Sequence, residues 1–533
     1  MQRGTHRWLT SLAAAALLLG VAACAPSGPE GGQGEATEAP TEETTGGQAK
    51  VPADQFVSVT IGEPESLDPA WTYETSGAGI ESNVYEGLVA FKKDAPDEFV
   101  PALATSWEVS DDALTYTFNV RDGVTFHEGG TLEPSDIAYT LQRSLLQDRV
   151  DGPMWLLLKP FLGVSSIEDY AFELAGVERT DDATLADLPA EVVANVCEDV
   201  KAAVEADDTA GTVTLHVVAP TPWLLQLLAQ PWGGAMDKEW MATQGAWDGD
   251  CSTWTTHHDP AQEDTVLFTA ANGTGPYKLA KWEKGTEIVL EANENYWRSE
   301  PAWPGAPSGP PAIKRVVIQK VEEWGTRLAK LQAGEADTVS VPRANIDQVA
   351  ALVHTDIEGS SDDAPSQVVN PDGTLKLYHG YPLVSATAAM FNFEVSTEGG
   401  NQFIGSGDLD GAGIPPDFFS DAHVRKGFSY CFDWETFIDD ALKGEGIQTR
   451  GPIIEGLQGY RDDSEIYTFN LEKCGDELAQ AWDGQLPDTG FQMTIAYNEG
   501  NEARQTVAQL LAENLAVVHE AYQVDTLSLE WPS

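Results

Sequence analysis

Leu114 to Arg143 reads LTYTFNVRDGVTFHEGGTLEPSDIAYTLQR. Its first seven residues alternate large apolar with polar side chains, the period of a half-buried strand. Arg121-Asp122-Gly123 then makes a turn, and Val124-Thr125-Phe126 reads as a second short strand, giving a hairpin-like unit. Pro134-Ser135-Asp136 has the composition of a helix start, with Ser135 as candidate cap and Asp136 at the positive end of the helix dipole. Ile137, Leu141 and Leu145 recur every four residues and form one apolar helix face. A period of two gives way to one of 3.6 within a single stretch, so the chain mixes strands with helices.

The same mixture extends outward. Phe56 to Ile61 alternates as a strand and is broken by Gly62-Glu63-Pro64. Thr212–Val218, Glu287–Glu291, Arg315–Gln319 and Phe491–Tyr497 read as further strands, the middle pair joined by a Pro/Gly-rich connection at 301–311. Trp324, Leu328 and Leu331 mark a helix that stops at Gly334. Val424, Phe428, Cys431 and Phe432 mark another, and Ala503, Val507, Leu510, Leu511, Leu515 and Val518 a long one. The fold class is therefore α/β or α+β, and no fixed-period repeat stands out.

The whole chain has 533 residues, 42% of them hydrophobic, and a formal charge of −55. It can bury sizeable cores, and its charge excludes general binding to nucleic-acid backbones and argues against adhesion to anionic lipid by charge. Arg3, His6 and Arg7 head an apolar run from Trp8 to Ala23, the pattern of a signal peptide over 1–23. Val21-Ala22-Ala23-Cys24 resembles a bacterial lipobox, which makes Cys24 the expected lipidation site. Residues 24–50 have the Gly/Pro/Thr/Glu composition of a flexible tether. The expected location is the outer face of the bacterial cytoplasmic membrane, lipid-anchored. The remaining cysteines, Cys197, Cys251, Cys431 and Cys474, are even in number, as two disulfides require in an exported chain. Sequential pairing, Cys197–Cys251 and Cys431–Cys474, keeps each bridge within one folded region.

No nucleophile elbow, zinc-protease helix or phosphate loop occurs. Gly273-Thr274-Gly275-Pro276-Tyr277-Lys278 places Pro and Tyr where a phosphate cradle needs free N–H groups. His257-His258-Asp259 stands alone as a metal candidate, and Asp408-Leu409-Asp410-Gly411 lacks the rest of a calcium loop. The chain is expected to be no enzyme, with no metal and no cofactor. Its 16 Trp, 14 Tyr and 18 Phe, several in breaker-rich segments, point instead to burial of a ligand by aromatic walls as well as to core packing.

Longer blocks carry a family resemblance. Ser66-Leu67-Asp68-Pro69-Ala70, Asn83-Val84-Tyr85-Glu86-Gly87-Leu88, Pro101–Ala104 with Ser106-Trp107, the Leu114–Arg143 stretch, Gly273–Trp297, Leu331–Asp337 (LQAGEAD), Phe391-Asn392 and Val424–Ile438 follow one another in the order of a known set of motifs. They resemble the extracytoplasmic solute-binding proteins of peptide-type ABC importers, family 5. The resemblance implies a two-lobed, type II periplasmic-binding fold with an extra subdomain on the first lobe. On this reading 51–88 and 230–335 form the first lobe, 89–229 the subdomain with an acidic expansion at 165–211, and 336–533 the second lobe. The family's last segment, which returns to the first lobe, has no counterpart here, so the chain is expected to be truncated after the strand matching Thr526 to Trp531.

The implied function is capture of a small solute, most simply a di- or oligopeptide, and its delivery to a permease and an ATP-binding subunit by a monomer. An oligosaccharide importer component and a surface signalling or adhesion lipoprotein are the alternatives. Within Trp71–Ser76, Trp71 and Tyr73 are candidates to stack on the solute and Glu74 to meet its amine. Asn392 and Arg425 are candidate polar contacts from the second lobe, with Asp421 as an alternative partner for Arg425.

Overall fold

The computed structural model describes residues 50–93, 95–150, 152–180, 183–353, 367–370, 372–381, 386–397, 400–455, 457 and 459–529. Fifteen strands are present among them. They are β1 (Gln55–Thr60), β2 (Val89–Lys92), β3 (Ala95–Pro101), β4 (Ala104–Val109), β5 (Thr115–Val120), β6 (Val204–Asp207), β7 (Thr212–His216), β8 (Tyr277–Glu283), β9 (Glu287–Ala292), β10 (Arg315–Lys320), β11 (Thr338–Val339), β12 (Gln367–Val369), β13 (Leu377–His379), β14 (Phe491–Asn498) and β15 (Tyr522–Leu529). One five-stranded sheet has the order β11-β1-β10-β9-β8, with β1 parallel to both β10 and β11. A four-stranded antiparallel sheet runs β4-β5-β7-β6. β14 and β15 pair in parallel, and the Glu502–Val518 helix crosses between them.

Buried apolar side chains fall into distinct clusters. The largest joins Leu67, Ile80 and Val84 to the four-stranded sheet and its helices. A separate one gathers Phe418, Phe428, Phe491, Leu515 and Tyr522 around β14 and β15. The cores are thus local, one body around the first of these clusters and another around β14 and β15, with smaller clusters beside β1 and beside Trp324, Ile346 and Val349. No helix among the described residues is long and apolar enough to cross a membrane.

The Leu114–Arg143 stretch forms β5 and the helix α2 (Pro134–Gln147), with Ile137, Leu141 and Leu145 all buried. Complete burial of such a side chain is worth about 1.5–3 kcal/mol, which explains why this face holds the helix to the sheet. Two expectations are corrected. Val124–Phe126 is no hairpin partner of β5, whose neighbours are β4 and β7. The chain leaving β5 is held from both sides, Val120 N–H donating to Gly211 O and Arg121 N–H to Leu103 O. Val124 and Phe126 then serve the core instead. Nor is Ser135 the helix cap. Pro134 takes the first helical position, where its missing N–H costs nothing, so the cap falls on Glu133. Asp136 closes a capping box by accepting Glu133 N–H at 2.8 Å.

Both disulfides have the sequential pairing. Cys197 on the Ala190–Ala203 helix joins Cys251, and Cys431 on the Ala422–Cys431 helix joins Cys474 on the Leu471–Leu478 helix. Beside the first bridge Tyr139 of α2 stacks on Trp247 and donates its hydroxyl proton to Trp247 O at 2.6 Å. Many of the aromatic residues are therefore core.

Candidate functional site

The segment before the first helix is braced from within. Asp68 accepts Arg143 Nη1 at 3.0 Å and Nη2 at 2.5 Å, and both side chains are buried. Burial alone would raise the Asp68 carboxyl, but the Arg143 guanidinium and the Ala70 N–H hold it below its ordinary value. The helix α1 (Thr75–Val84) carries two glycines and has little intrinsic helicity. Gly77 is required there, because a Cβ would lie 2.3 Å from Thr72 Cγ2. Glu81, one turn on, is fully buried and neither carboxyl oxygen has a hydrogen-bond partner. Burial pushes its carboxyl well above the usual range; the neighbouring Thr72 hydroxyl relieves this in part, and the charges of Asp68 and Glu74 add to it.

A cavity of about 740 Å³ opens beside α1. It is lined by Thr60–Gly62 after β1, Glu74–Ser76 at the start of α1, Glu322 and Arg327 after β10, Ser340–Ala344 after β11, Asp440–Leu442, and Asn498–Arg504 after β14. The carboxyl ends of four strands from two sheets therefore converge on it, the position where ligands bind in open α/β sheets. Its volume lies within the range of small-molecule sites. Close contacts ring it. Gly500 packs so closely that a Cβ would lie 2.9 Å from Glu322 O. Asn345 Nδ2 donates to both Glu502 carboxylate oxygens at 3.2 and 3.0 Å, and Arg343 pairs with Glu445 at 2.6 Å.

The lining is strongly charged, with Glu74, Glu322, Asp440, Glu499 and Glu502 against Arg327, Arg343 and Arg504. Glu74 is half-buried. Its Oε1 accepts Glu65 N–H at 3.3 Å and its Oε2 accepts Tyr73 N–H at 3.1 Å. Burial raises its carboxyl despite these two N–H donors. Arg327, on the Trp324–Gln332 helix, is 1% exposed. Its Nη1 donates to Val321 O at 2.8 Å and Glu322 O at 2.5 Å, which staples the turn after β10. Its Nε has no partner.

Of the five residues nominated from sequence, Glu74 alone lines this cavity among the described residues. Trp71 is built into the wall, 5% exposed, with its Nε1 donating to Glu65 at 3.2 Å and the Arg149 guanidinium 4.0 Å above its ring. Tyr73 is 51% exposed and meets Trp232 edge-on. Asn392 is exposed on the second body. Arg425 donates to Phe419 O and Ser420 O and lies over Phe393. Asp421, its expected alternative partner, instead accepts His423 N–H as a helix cap and Trp482 N–H at 2.7 Å. Cys24 lies outside the described residues. Arg327 and the Asn498–Arg504 turn were missed, although the Asn-Glu-Gly-Asn-Glu-Ala-Arg run following an alternating strand is the available signal.

The metal candidates resolve into structure. His258 Nδ1 lies 3.1 Å from Leu146 O and its Nε2 3.5 Å from Glu168. Asp410 accepts Ser406 Oγ–H and Ala412 N–H within its own turn. Asp136, Asp237 and Glu239 lie close together, yet Asp136 is occupied by the N–H groups of Glu133 and Lys238, and Asp237 by Trp240 N–H and Asn272.

Known proteins resemble the chain over most of its length. The profile of bacterial extracellular solute-binding proteins, family 5 Middle, matches residues 98–518. Heme-binding protein A of Haemophilus influenzae is 24% identical over 483 residues, covering 89% of this chain and 70% of that protein. Di/tripeptide-binding protein 2 of Pseudomonas aeruginosa is 23% identical, covering 89% and 71%. Among solved structures, the ABC transporter-associated periplasmic binding protein DppA of Helicobacter pylori, in complex with the peptide STSA, superposes with a TM-score of 0.56 at 18% identity. That match covers 90% of this chain and 74% of that one.

Proposed function

The chain belongs to the bacterial extracellular solute-binding proteins, family 5, and from that premise we propose that it captures a short peptide between two lobes for an ABC importer. The observation that carries this reading is the convergence of four strand ends from two sheets on one charged cavity where the two bodies meet. The fold is two-lobed α/β, of the periplasmic-binding type. In the proposed division 51–88 with 230–335 is the first lobe, 89–229 its added subdomain, and 336–533 the second lobe, except that β11 at its start pairs with β1 in the first lobe's sheet. Capture is closure, in which the solute binds the closed arrangement better and shifts the population toward it. The charged lining supplies donors and acceptors for a peptide's termini and backbone. Asn392, Arg425 and Tyr73 are not among the residues that line the cavity in this arrangement.

The relative named as heme-binding raises a second ligand class. Among the described lining residues none is His, Cys, Met or Tyr, the side chains that ligate haem iron. Peptide is therefore favoured. In the same proposal Cys24 carries the lipid anchor, the protein acts as a monomer, and a permease with its ATP-binding subunits receives the solute.

Mass spectrometry of solutes that co-purify with the chain, with melting curves against peptide and oligosaccharide panels, tests the reading. Peptide at a hundredfold excess over Kd stabilises by about 2.7 kcal/mol. Shifts with oligosaccharides and none with di- to octapeptides would replace peptide by sugar.

A further inference from the structure

The charges of the cavity say which solutes it prefers. Five carboxylates face three guanidiniums across the described lining, which leaves two negative charges uncompensated within it. The guanidiniums are also more committed. Arg343 is paired with Glu445, Arg504 donates to Asn498 at 3.0 Å, and Arg327 staples its turn through Nη1. Among the carboxylates, Glu502 is engaged by Asn345 and Glu322 by Lys320 at 3.0 Å. Glu74 is different. Two backbone N–H groups fix its orientation, one on each oxygen, and no cationic side chain is bonded to it. Each oxygen keeps a further lone pair.

Arg327 supplies an independent sign that a ligand belongs here. It is 1% exposed, it lines the cavity, and its Nε has no acceptor. A buried donor left unsatisfied costs about 1–3 kcal/mol, a cost that a ligand oxygen would remove. The cavity thus presents an oriented carboxylate to which no cationic side chain is bonded, and a buried guanidinium whose Nε lacks an acceptor.

Resting on the solute-capture reading above, we propose that the cavity selects solutes that carry a cationic group. Glu74 receives the amine or guanidinium, and Arg327 takes a carbonyl or carboxylate oxygen of the same solute. Basic peptides are then preferred over neutral ones and neutral over acidic. An acidic side chain would add like charge to a lining already in deficit of cations. Glu74 is the specificity-determining residue, and Arg327 contributes affinity without discriminating side-chain charge.

The test uses titration calorimetry at low salt with three tripeptides of equal length, Ala-Lys-Ala, Ala-Ala-Ala and Ala-Glu-Ala, on the full chain and on Glu74→Gln. Expected is at least a tenfold affinity step in favour of Ala-Lys-Ala over Ala-Glu-Ala, shrinking as salt is added. Glu74→Gln, whose amide oxygen can still accept one of the backbone N–H groups, collapses that step while keeping the melting temperature. Arg327→Lys weakens all three peptides by a similar factor and preserves their order. If the native chain binds the three alike, or prefers Ala-Glu-Ala, charge selection is wrong although peptide capture stands. If the preference survives Glu74→Gln, its assignment to Glu74 is wrong. If none of the three binds and oligosaccharides do, the peptide reading itself fails and the charge selection falls with it.

Discussion

Arg143 and Asp68 form a two-pronged ion pair, Nη1 to Oδ1 at 3.0 Å and Nη2 to Oδ2 at 2.5 Å, that ties α2 to the turn preceding the cavity wall. Gln147, one turn further along α2, also reaches Asp68 Oδ2, at 3.4 Å. Removing one partner strands a buried charge. Arg143→Met is expected to destabilise by about 3–5 kcal/mol in urea unfolding, and Arg143→Met with Asp68→Asn by less than the sum of the two. Because the folded Asp68 carboxyl lies below its unfolded value, the stability it contributes is present above about pH 4 and is lost as pH falls through the folded value. Additive single and double variants would argue against coupling through this pair.

Glu81 titrates in the opposite sense. Its folded carboxyl is raised by burial, so its contribution is complete below the unfolded value of 4.5 and is lost as pH rises through the folded one. Each unit of that difference is worth about 1.4 kcal/mol above both values. Glu81→Gln should therefore raise the melting temperature at pH 8 and leave it nearly unchanged at pH 4. A loss of stability at pH 8 would mean that the carboxylate form is satisfied in the fold.

Gly500 sits at φ +76°, and an added Cβ would meet Glu322 O at 2.9 Å. Gly500→Ala pays for both the left-handed backbone and the collision, about 1–2 kcal/mol for the first alone. The variant should bind peptide more weakly than the native chain, beyond what its lower melting temperature explains. Unchanged affinity would remove this contact from the closing interface.

A formal charge of −55 implies self-repulsion on the folded surface. Raising sodium chloride from 0.1 to 1 M shortens the Debye length from about 10 to 3 Å. The melting temperature is expected to rise over that interval, and a flat or falling curve would show that attractive pairs dominate the surface.

The parts of the structure legible in the sequence are those written locally. LTYTFNV alternates, so β5 could be read directly. Its neighbours could not, because β4 and β7 are chosen by bonds such as Arg121 N–H to Leu103 O that only the assembled fold provides. The four cysteines paired as expected, since each bridge closes within one body. Glu74 could be nominated because it follows the Ser66–Ala70 family turn. Arg327 was not, since an arginine between Trp324 and Leu328 resembles an ordinary solvated helix face. Only the return of its guanidinium to the carbonyls of Val321 and Glu322 buries it. For Trp71 the sequence is ambiguous, because an aromatic residue in a loop looks the same whether it waits for a ligand or for Arg149.

The parallel pairing of β1 with β10, Gln55 beside Arg315, sets the order in which this molecule can assemble. The strand made first has its central neighbour on the far side of everything from β2 to β9. At synthesis rates of about 5–20 residues per second, β1 waits on the order of ten to fifty seconds for β10 to exist. The four-stranded sheet has all its strands by His216 and can pair in that interval, whereas α2 still waits for Met236, Lys238 and Trp247. Until β10 arrives, QFVSVT is an unpaired strand with one apolar face, open to wrong pairing with another chain. Holding β1 apart from its own kind is therefore a demand on whatever carries the nascent chain, and it ends only when Arg315–Lys320 slides in beside it.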